Sequence, residues 1–277
     1  MDSWPFLRSA VLIITIGFTV SFSTSFAFTQ SPNREKPRLK DFGQYSALMA
    51  TLKEAFDAED QRPIIIFQTD GDELGLLRNP IFSPAVPPNL PPDLRLTAQK
   101  FVESTQRYVS ANRREFSLDD VYRAAEKSRA TIYTVIPGFR LIGLSPEEQI
   151  NQMKIASERR AQTWGGKAAI ERNADRWART PPEALRYEVG VELKGQQALA
   201  VLATMTGGWT EFLEEPSQAD ENYSRIFSDI NRRYIVGYYP TNKEHDGKRR
   251  KVNVEVRGHS EYIVMGRKSY YAPEAEQ

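Results

Sequence analysis

Ile64-Ile-Ile-Phe-Gln-Thr-Asp-Gly71 is the stretch that decides the fold of this chain. Its first four residues are apolar without polar alternation, which is typical of a strand buried on both faces of a parallel sheet. A helical pattern over about 43–58 precedes it, and a helix followed by a buried strand is half of an α/β unit. We therefore predict an α/β fold in which Asp70 lies at the carboxyl end of a buried strand, where sites gather in open sheets.

A second strand of the same sheet is predicted at Thr131-Ile-Tyr-Thr-Val-Ile136, and a short extended piece at Trp209 to Phe212. The helix before the second strand opens with Ser117-Leu-Asp-Asp120, a capping box in which serine accepts a first-turn amide. Ser145-Pro-Glu-Glu148 is a comparable helix start. Other helical patterns cover about 96–109, 146–178 with a break at Gly165-Gly166, 182–205 and 219–232.

Three strands are predicted near the carboxyl terminus. Tyr234-Ile-Val-Gly-Tyr-Tyr239 is rich in aromatic and β-branched residues, and Val252-Asn-Val-Glu-Val256 alternates between apolar and polar residues. Tyr262-Ile-Val-Met265 is the third. Pro240 and the Asp246-Gly247 pair indicate a hairpin connection between the first two.

The amino terminus has the pattern of a secretory signal. Arg8 supplies the positive charge, an apolar stretch covers 10–20, and Ser25-Phe-Ala27 offers small residues for a signal peptidase. We predict cleavage near Ala27 and export to the periplasm or the extracellular space. The alternative is an uncleaved membrane anchor, although the apolar run is shorter than the roughly 20 residues that a membrane span needs.

The composition further limits the kinds of site and partner that the chain can have. The formal net charge is +1, with 37 Lys+Arg against 36 Asp+Glu, so no general attraction to nucleic acid is expected. There is no cysteine and there are only two histidines, His245 and His259, which leaves little material for thiol catalysis or a histidine metal site. The basic run Lys248-Arg-Arg-Lys251 is interpreted as a solvated strand end, and we predict no nucleic-acid partner.

The order of these elements resembles that of von Willebrand factor A (VWFA) domains, in particular exported acidobacterial VWFA-related proteins. The resemblance rests on Ile64–Gly71, on 117–135, on Leu199 to Gly208 and on the tail from Tyr234 to Ala272. It implies a Rossmann-like parallel sheet flanked by helices, incomplete at the amino terminus, with a β-hairpin extension at the carboxyl terminus. The implied organisation is a signal peptide 1–27, a linker 28–41, a degenerate VWFA-like domain 42–240 with insertions at about 78–115 and 140–190, and a β extension 241–277.

VWFA domains use metal-ion-dependent adhesion, in which a divalent cation is held by an Asp-x-Ser-x-Ser loop, a threonine and a further aspartate. The resemblance places that further aspartate at Asp70, but no Asp-x-Ser-x-Ser occurs in the chain. Asp70 and Asp72, with Glu73, are the predicted metal ligands, and Mg²⁺ or another divalent cation held weakly is the only cofactor suggested. The alternative is a strand-exit turn in which Asp70 bonds its own backbone.

These observations favour a non-enzymatic binding, adhesion or scaffold module over a catalyst, because the chain contains no nucleophile elbow, phosphate loop or His-Glu-x-x-His motif. A protein partner that supplies the missing strand is expected, since an incomplete sheet exposes an edge. Two alternatives remain open: an exported hydrolase with carboxylates near Asp70, and a truncated product without an independent role.

Overall fold

The computed structural model describes residues 11–14, 43–54, 63–234 and 236–274. Its strands are β1 Val11–Ile14, β2 Ile64–Gln68, β3 Thr131–Pro137, β4 Thr210–Leu213, β5 Arg249–Lys251 and β6 Ser269–Tyr271. Its helices are α1 Gln44–Glu54, α2 Pro92–Asn112, α3 Leu118–Lys127, α4 Pro146–Trp164, α5 Gly166–Arg179, α6 Pro182–Met205 and α7 Ala219–Arg232.

The main sheet is parallel and its strands follow one another in chain order. β2, β3 and β4 pair side by side, and β1 pairs in parallel with the outer side of β2. Strands added in one direction with helical connections are typical of one half of a doubly wound sheet. The predicted α/β class is therefore confirmed as a parallel sheet flanked by helices.

Both faces of β2 are buried, because its residues alternate between two hydrophobic cores. Ile65 and Phe67 pack in one core with residues of α1, α3 and α6. Ile64 and Ile66 pack in the other with Ile226 of α7. This arrangement explains why the strand contains four apolar residues in succession, since neither side of it meets water.

The helix boundaries follow the local signals of the sequence. The Ser117 side chain accepts the backbone N–H of Asp120, and the Asp120 carboxylate accepts the backbone N–H of Ser117 in return. Ser145 and Glu148 form the same reciprocal cap at the start of α4. The break predicted at Gly165-Gly166 separates α4 from α5, and these two helices pack against each other.

The three strands predicted near the carboxyl terminus are wrong. The described residues of 234–239, together with 252–256 and 262–265, lie outside strands and expose most of their large apolar side chains. The antiparallel pair of this region is formed instead by β5 and β6. Alternation indicates which residues suit a strand, but it does not supply a partner strand, and these segments have none within the described chain.

The β5–β6 pair is anchored at the amino end of the parallel sheet by two arginines. Arg267 donates to the backbone oxygens of Glu126, in the last turn of α3, and of Ala130, just beyond its end, both at 2.7 Å. The buried Glu126 carboxylate accepts from Arg249 Nε at 2.6 Å and from the Ser269 hydroxyl. The tail therefore contacts α3 through a partly buried, charged hydrogen-bond network.

β1 lies within the segment predicted to be a signal peptide. Val11–Ile14 pair residue by residue with Ile64–Phe67, along the outer edge of β2. The sequence predicts that an incomplete sheet exposes an edge, but it does not indicate which strand carries that edge. The predicted cleavage point near Ala27 and the predicted linker 28–41 lie outside the described residues. The edge is thus occupied in the uncleaved chain, whereas export remains a prediction.

Candidate functional site

The exit turn of β2 is a compact polar loop at the carboxyl edge of the sheet. Gly71 adopts a left-handed backbone with φ of 86°, which glycine tolerates without strain. The Gly71 N–H donates to the Thr69 hydroxyl at 3.1 Å, and the Asp72 N–H donates to Asp70 Oδ1 at 3.1 Å. Asp70 therefore makes the local turn hydrogen bond that the alternative interpretation of this motif predicts.

Glu73 is directed away from this turn and into the interior. Its Oε2 accepts the backbone N–H of Tyr45 at 3.0 Å, in the first turn of α1, and its Oε1 pairs with Arg114 at 2.9 Å. Both side chains of this ion pair are buried. Thr69, also buried, donates its hydroxyl to the Gln44 side chain beside them. Glu73 thus connects α1 to the loop after α2 and is not available as a site ligand.

Asp72 lies in an acidic patch with Glu192, which the sequence did not predict as a site residue. Desolvation by surrounding protein, followed by the negative charge of Asp70, raises the pKa of the Asp72 carboxyl to about 6, while Arg160 lowers it. Desolvation and then the charge of Asp72 raise the pKa of Glu192 on α6, again against Arg160 on α4. Asp72 and Glu192 both reach solvent, so the patch forms an open surface.

Two polar side chains, those of Gln196 and Tyr223, hold the neighbouring loops of this edge. The buried Gln196 side chain accepts the Leu141 N–H and donates to the Phe139 oxygen, both at 2.9 Å, which fixes the loop after β3. The Tyr223 hydroxyl donates to the Gln68 side chain at 3.0 Å, which joins α7 to the end of β2. Both side chains have hydrogen-bond partners within the fold and therefore stabilise it.

The donor set does not fit a divalent cation. Among the residues that the structure describes, no group of three or more His, Asp or Glu side chains is placed to hold a metal ion. Asp70 Oδ1 already accepts an amide, Glu73 is committed to Arg114, and Arg160 adds positive charge beside Asp72. Ca²⁺ and Mg²⁺ take about six or more oxygen ligands, and two adjacent carboxylates supply too few of them.

Most side chains of the basic run at β5 form ion pairs or hydrogen bonds within the chain. Arg249 pairs with Glu126, and Arg250 pairs with Asp246 at 3.2 Å while donating to two backbone oxygens, those of Asn242 and Glu244. Lys248 also pairs with Asp246, at 3.5 Å, so three of the four basic side chains form ion pairs within the chain. No helix in the described part of the chain has the length and apolar composition needed to cross a membrane.

Comparison with known proteins gives no relative: no family model, no curated protein and no solved structure matches this chain.

Proposed function

We propose that this chain is a non-enzymatic binding module of the VWFA type, exported on removal of residues 1–27, in which a protein partner completes the parallel sheet beside β2. The observation that carries the proposal is the pairing of Val11–Ile14 with Ile64–Phe67. The segment predicted to be cleaved is the same one that covers the edge, so export and an open edge follow from a single event.

The β2 edge is suited to strand addition. Removal of β1 leaves one row of backbone N–H and C=O groups along Ile64–Phe67 without a partner. The strand carries no charged residue or proline that would discourage pairing. Its register with β1 also defines the occupant, which is a parallel, apolar strand of at least four residues. Main-chain hydrogen bonds would supply affinity, and the partner's side chains would supply selectivity.

The experiment is complementation in trans. Residues 28–277 are melted alone and with a synthetic peptide of residues 8–16, which contains β1. At 100 times its dissociation constant a peptide that binds only the folded state adds about 2.7 kcal/mol, a rise in Tm of roughly 5–10 °C for a domain of this size. A control peptide with Ile13→Pro lacks a backbone donor and is expected to give no shift.

Two outcomes bear on the proposal directly. A saturable shift with the first peptide and none with the control supports an edge that accepts a strand. No shift with either peptide contradicts it. The mass of the exported protein provides the second check, since cleavage after Ala27 leaves Phe28 at the amino terminus.

One observation favours the second candidate, an exported hydrolase. The pKa of about 6 for Asp72 would let one carboxyl of the patch exchange a proton at mildly acidic pH, as acid–base catalysis requires. We expect no turnover of ester, phosphate or glycoside substrates by the purified protein. Turnover that disappears in both Asp70→Asn and Asp72→Asn would favour the hydrolase.

A further inference from the structure

The outer edge of β2, where β1 pairs, is covered unequally on the two faces of the sheet. On one face, α1 packs beside α3 and α3 packs beside α6. In the parallel sheet these helices precede β2, β3 and β4 respectively, so the helical layer follows the order of the strands. Helix α1 therefore lies at the outer end of this layer, on the side of β2 that pairs with β1.

Helix α1 forms an apolar cover over this face of the edge. Tyr45 and Leu48 are fully buried and Met49 is nearly so, and all three share a core with Ile65 and Phe67 of β2. The Tyr45 ring packs edge-on against the Phe67 ring, with 5.3 Å between their centroids. In a strand added beside β2, the residues that pair with Ile65 and Phe67 point to this same face. They therefore enter the core beneath α1.

Helix α7 covers the opposite face of the sheet, but its polar contacts lie over the other edge. Asp229 of α7 accepts the hydroxyl of Tyr133 on β3 at 2.5 Å. Asn222 of α7 donates to the Phe212 backbone oxygen on β4 at 2.7 Å. The helix is thus centred on β3 and β4, away from the edge that pairs with β1.

β2 lies at the margin of the area that α7 covers. Tyr223 of α7 reaches the end of β2 through its hydrogen bond to Gln68. Phe227, one turn later on the same side of the helix, is 36% exposed. Within the described part of the chain, a strand added beyond β2 therefore has its second face open to solvent.

This unequal cover determines which side chains the edge accepts. A polar side chain placed beneath α1 would lose its hydration without gaining a hydrogen bond, which is unfavourable. A polar side chain on the opposite face keeps its contact with water. Strands with one buried and one solvated face usually alternate between apolar and polar residues.

We propose that the β2 edge selects its partner strand by alternate residues. Those that pair with Ile65 and Phe67 must be large and apolar, whereas those that pair with Ile64 and Ile66 can be polar. This inference rests on the proposed function and narrows its partner to a protein segment that is apolar on one face, as in an ordinary half-exposed strand.

The chain offers a matched pair for the test. Ile13 and Ile14 are adjacent and of the same type, and they pair with Ile66 and Phe67 respectively. Threonine keeps the branched β-carbon that suits a strand and introduces a hydroxyl group. In thermal melts of the full chain, Ile14→Thr is expected to lower Tm by roughly 3–8 °C. Ile13→Thr is expected to lower it by less than about 2 °C.

The same substitutions in the peptide of residues 8–16 provide the second arm. Binding of each labelled peptide to residues 28–277 is measured by fluorescence anisotropy. We expect Ile14→Thr to weaken binding at least about tenfold and Ile13→Thr to weaken it less than about threefold.

The two arms separate this inference from the proposed function. Equal effects of the two substitutions, a larger effect of Ile13→Thr, or no effect of either in the full chain would overturn the selection by alternate residues. If the peptides bind but do not differ, strand addition stands and the selectivity is refuted. If the full-chain variants differ but no peptide binds, the partner strand of the proposed function is refuted, whereas the unequal cover of the edge is supported.

Discussion

Replacement of Glu73 by alanine tests whether this carboxylate stabilises the fold, unlike the neighbouring carboxylates of the candidate site. The variant leaves the buried Arg114 charge without this partner and removes the acceptor of the Tyr45 N–H. Loss of one member of a buried ion pair costs about 3–5 kcal/mol. For a domain of about 150–250 residues this corresponds to a fall in Tm of roughly 6–20 °C.

The assay is thermal unfolding followed by circular dichroism, with urea unfolding as a second measure of the free energy of unfolding. Asp70→Asn and Asp72→Asn are the matched controls, since both lie within three residues of Glu73 and an Asn at 70 still accepts the Asp72 N–H. We expect Asp70→Asn to change stability by no more than about 0.5 kcal/mol at neutral pH, as substitutions at accessible positions usually do. Asp72→Asn should not lower stability at that pH, because it removes a carboxylate whose ionised form the fold disfavours. If Glu73→Ala melts with the controls, the buried ion pair does not stabilise the fold, and Glu73 becomes a candidate site residue again.

Three further predictions concern pH, metal and the tail. The folded chain holds a proton on Asp72 up to about pH 6 and the unfolded chain only up to about pH 4, so the native state binds more protons between these values. The contribution of this group to the free energy of unfolding therefore falls as pH rises through that window. In urea titrations at several pH values, Asp72→Asn should make the free energy of unfolding depend less steeply on pH. Thermal melts in EDTA and in millimolar Mg²⁺, Mn²⁺ or Ca²⁺ should coincide, whereas a metal-dependent rise that Asp70→Ala abolishes would restore the adhesion-type site. Glu126→Ala removes the buried acceptor of Arg249 and Ser269, so limited proteolysis should cut within 240–262 faster. An unchanged cleavage rate would show that the remaining contacts, those of Arg267 among them, are sufficient to hold the tail.

The central strands could be predicted because their determinants are local. Four apolar residues at Ile64–Phe67 require burial on both sides, and only a layered sheet provides it. The caps at Ser117 and Ser145 could be predicted for the same reason, because each involves residues three positions apart. Signals of this kind do not depend on distant parts of the chain.

The site depends on distant parts of the chain, and here the sequence was insufficient. Asp70, Asp72 and Glu73 look equivalent as neighbouring acids, but the left-handed turn at Gly71 leaves Asp72 at the surface and directs Glu73 inward. The ion pair of Glu73 depends on Arg114, 41 residues away. Glu192 and Arg160 come from α6 and α4, which the sequence predicts only as helices and which no spacing rule connects to Asp72.

The two interpretations of the amino terminus rest on one property of the sequence. A signal peptide and a strand buried in a parallel sheet both require an apolar run, and the stretch 10–20, which contains Val11–Ile14, satisfies both. They differ in what remains after processing, because cleavage near Ala27 removes β1 and leaves Ile64–Phe67 at an open edge. A chain that keeps Met1 keeps its own edge strand and has no need of a partner there, so the binding proposal requires that the mature protein lack β1. The same peptide that shows the edge to be receptive would then also explain why the uncleaved chain remains closed, since β1 would act as an internal competitor of the partner strand.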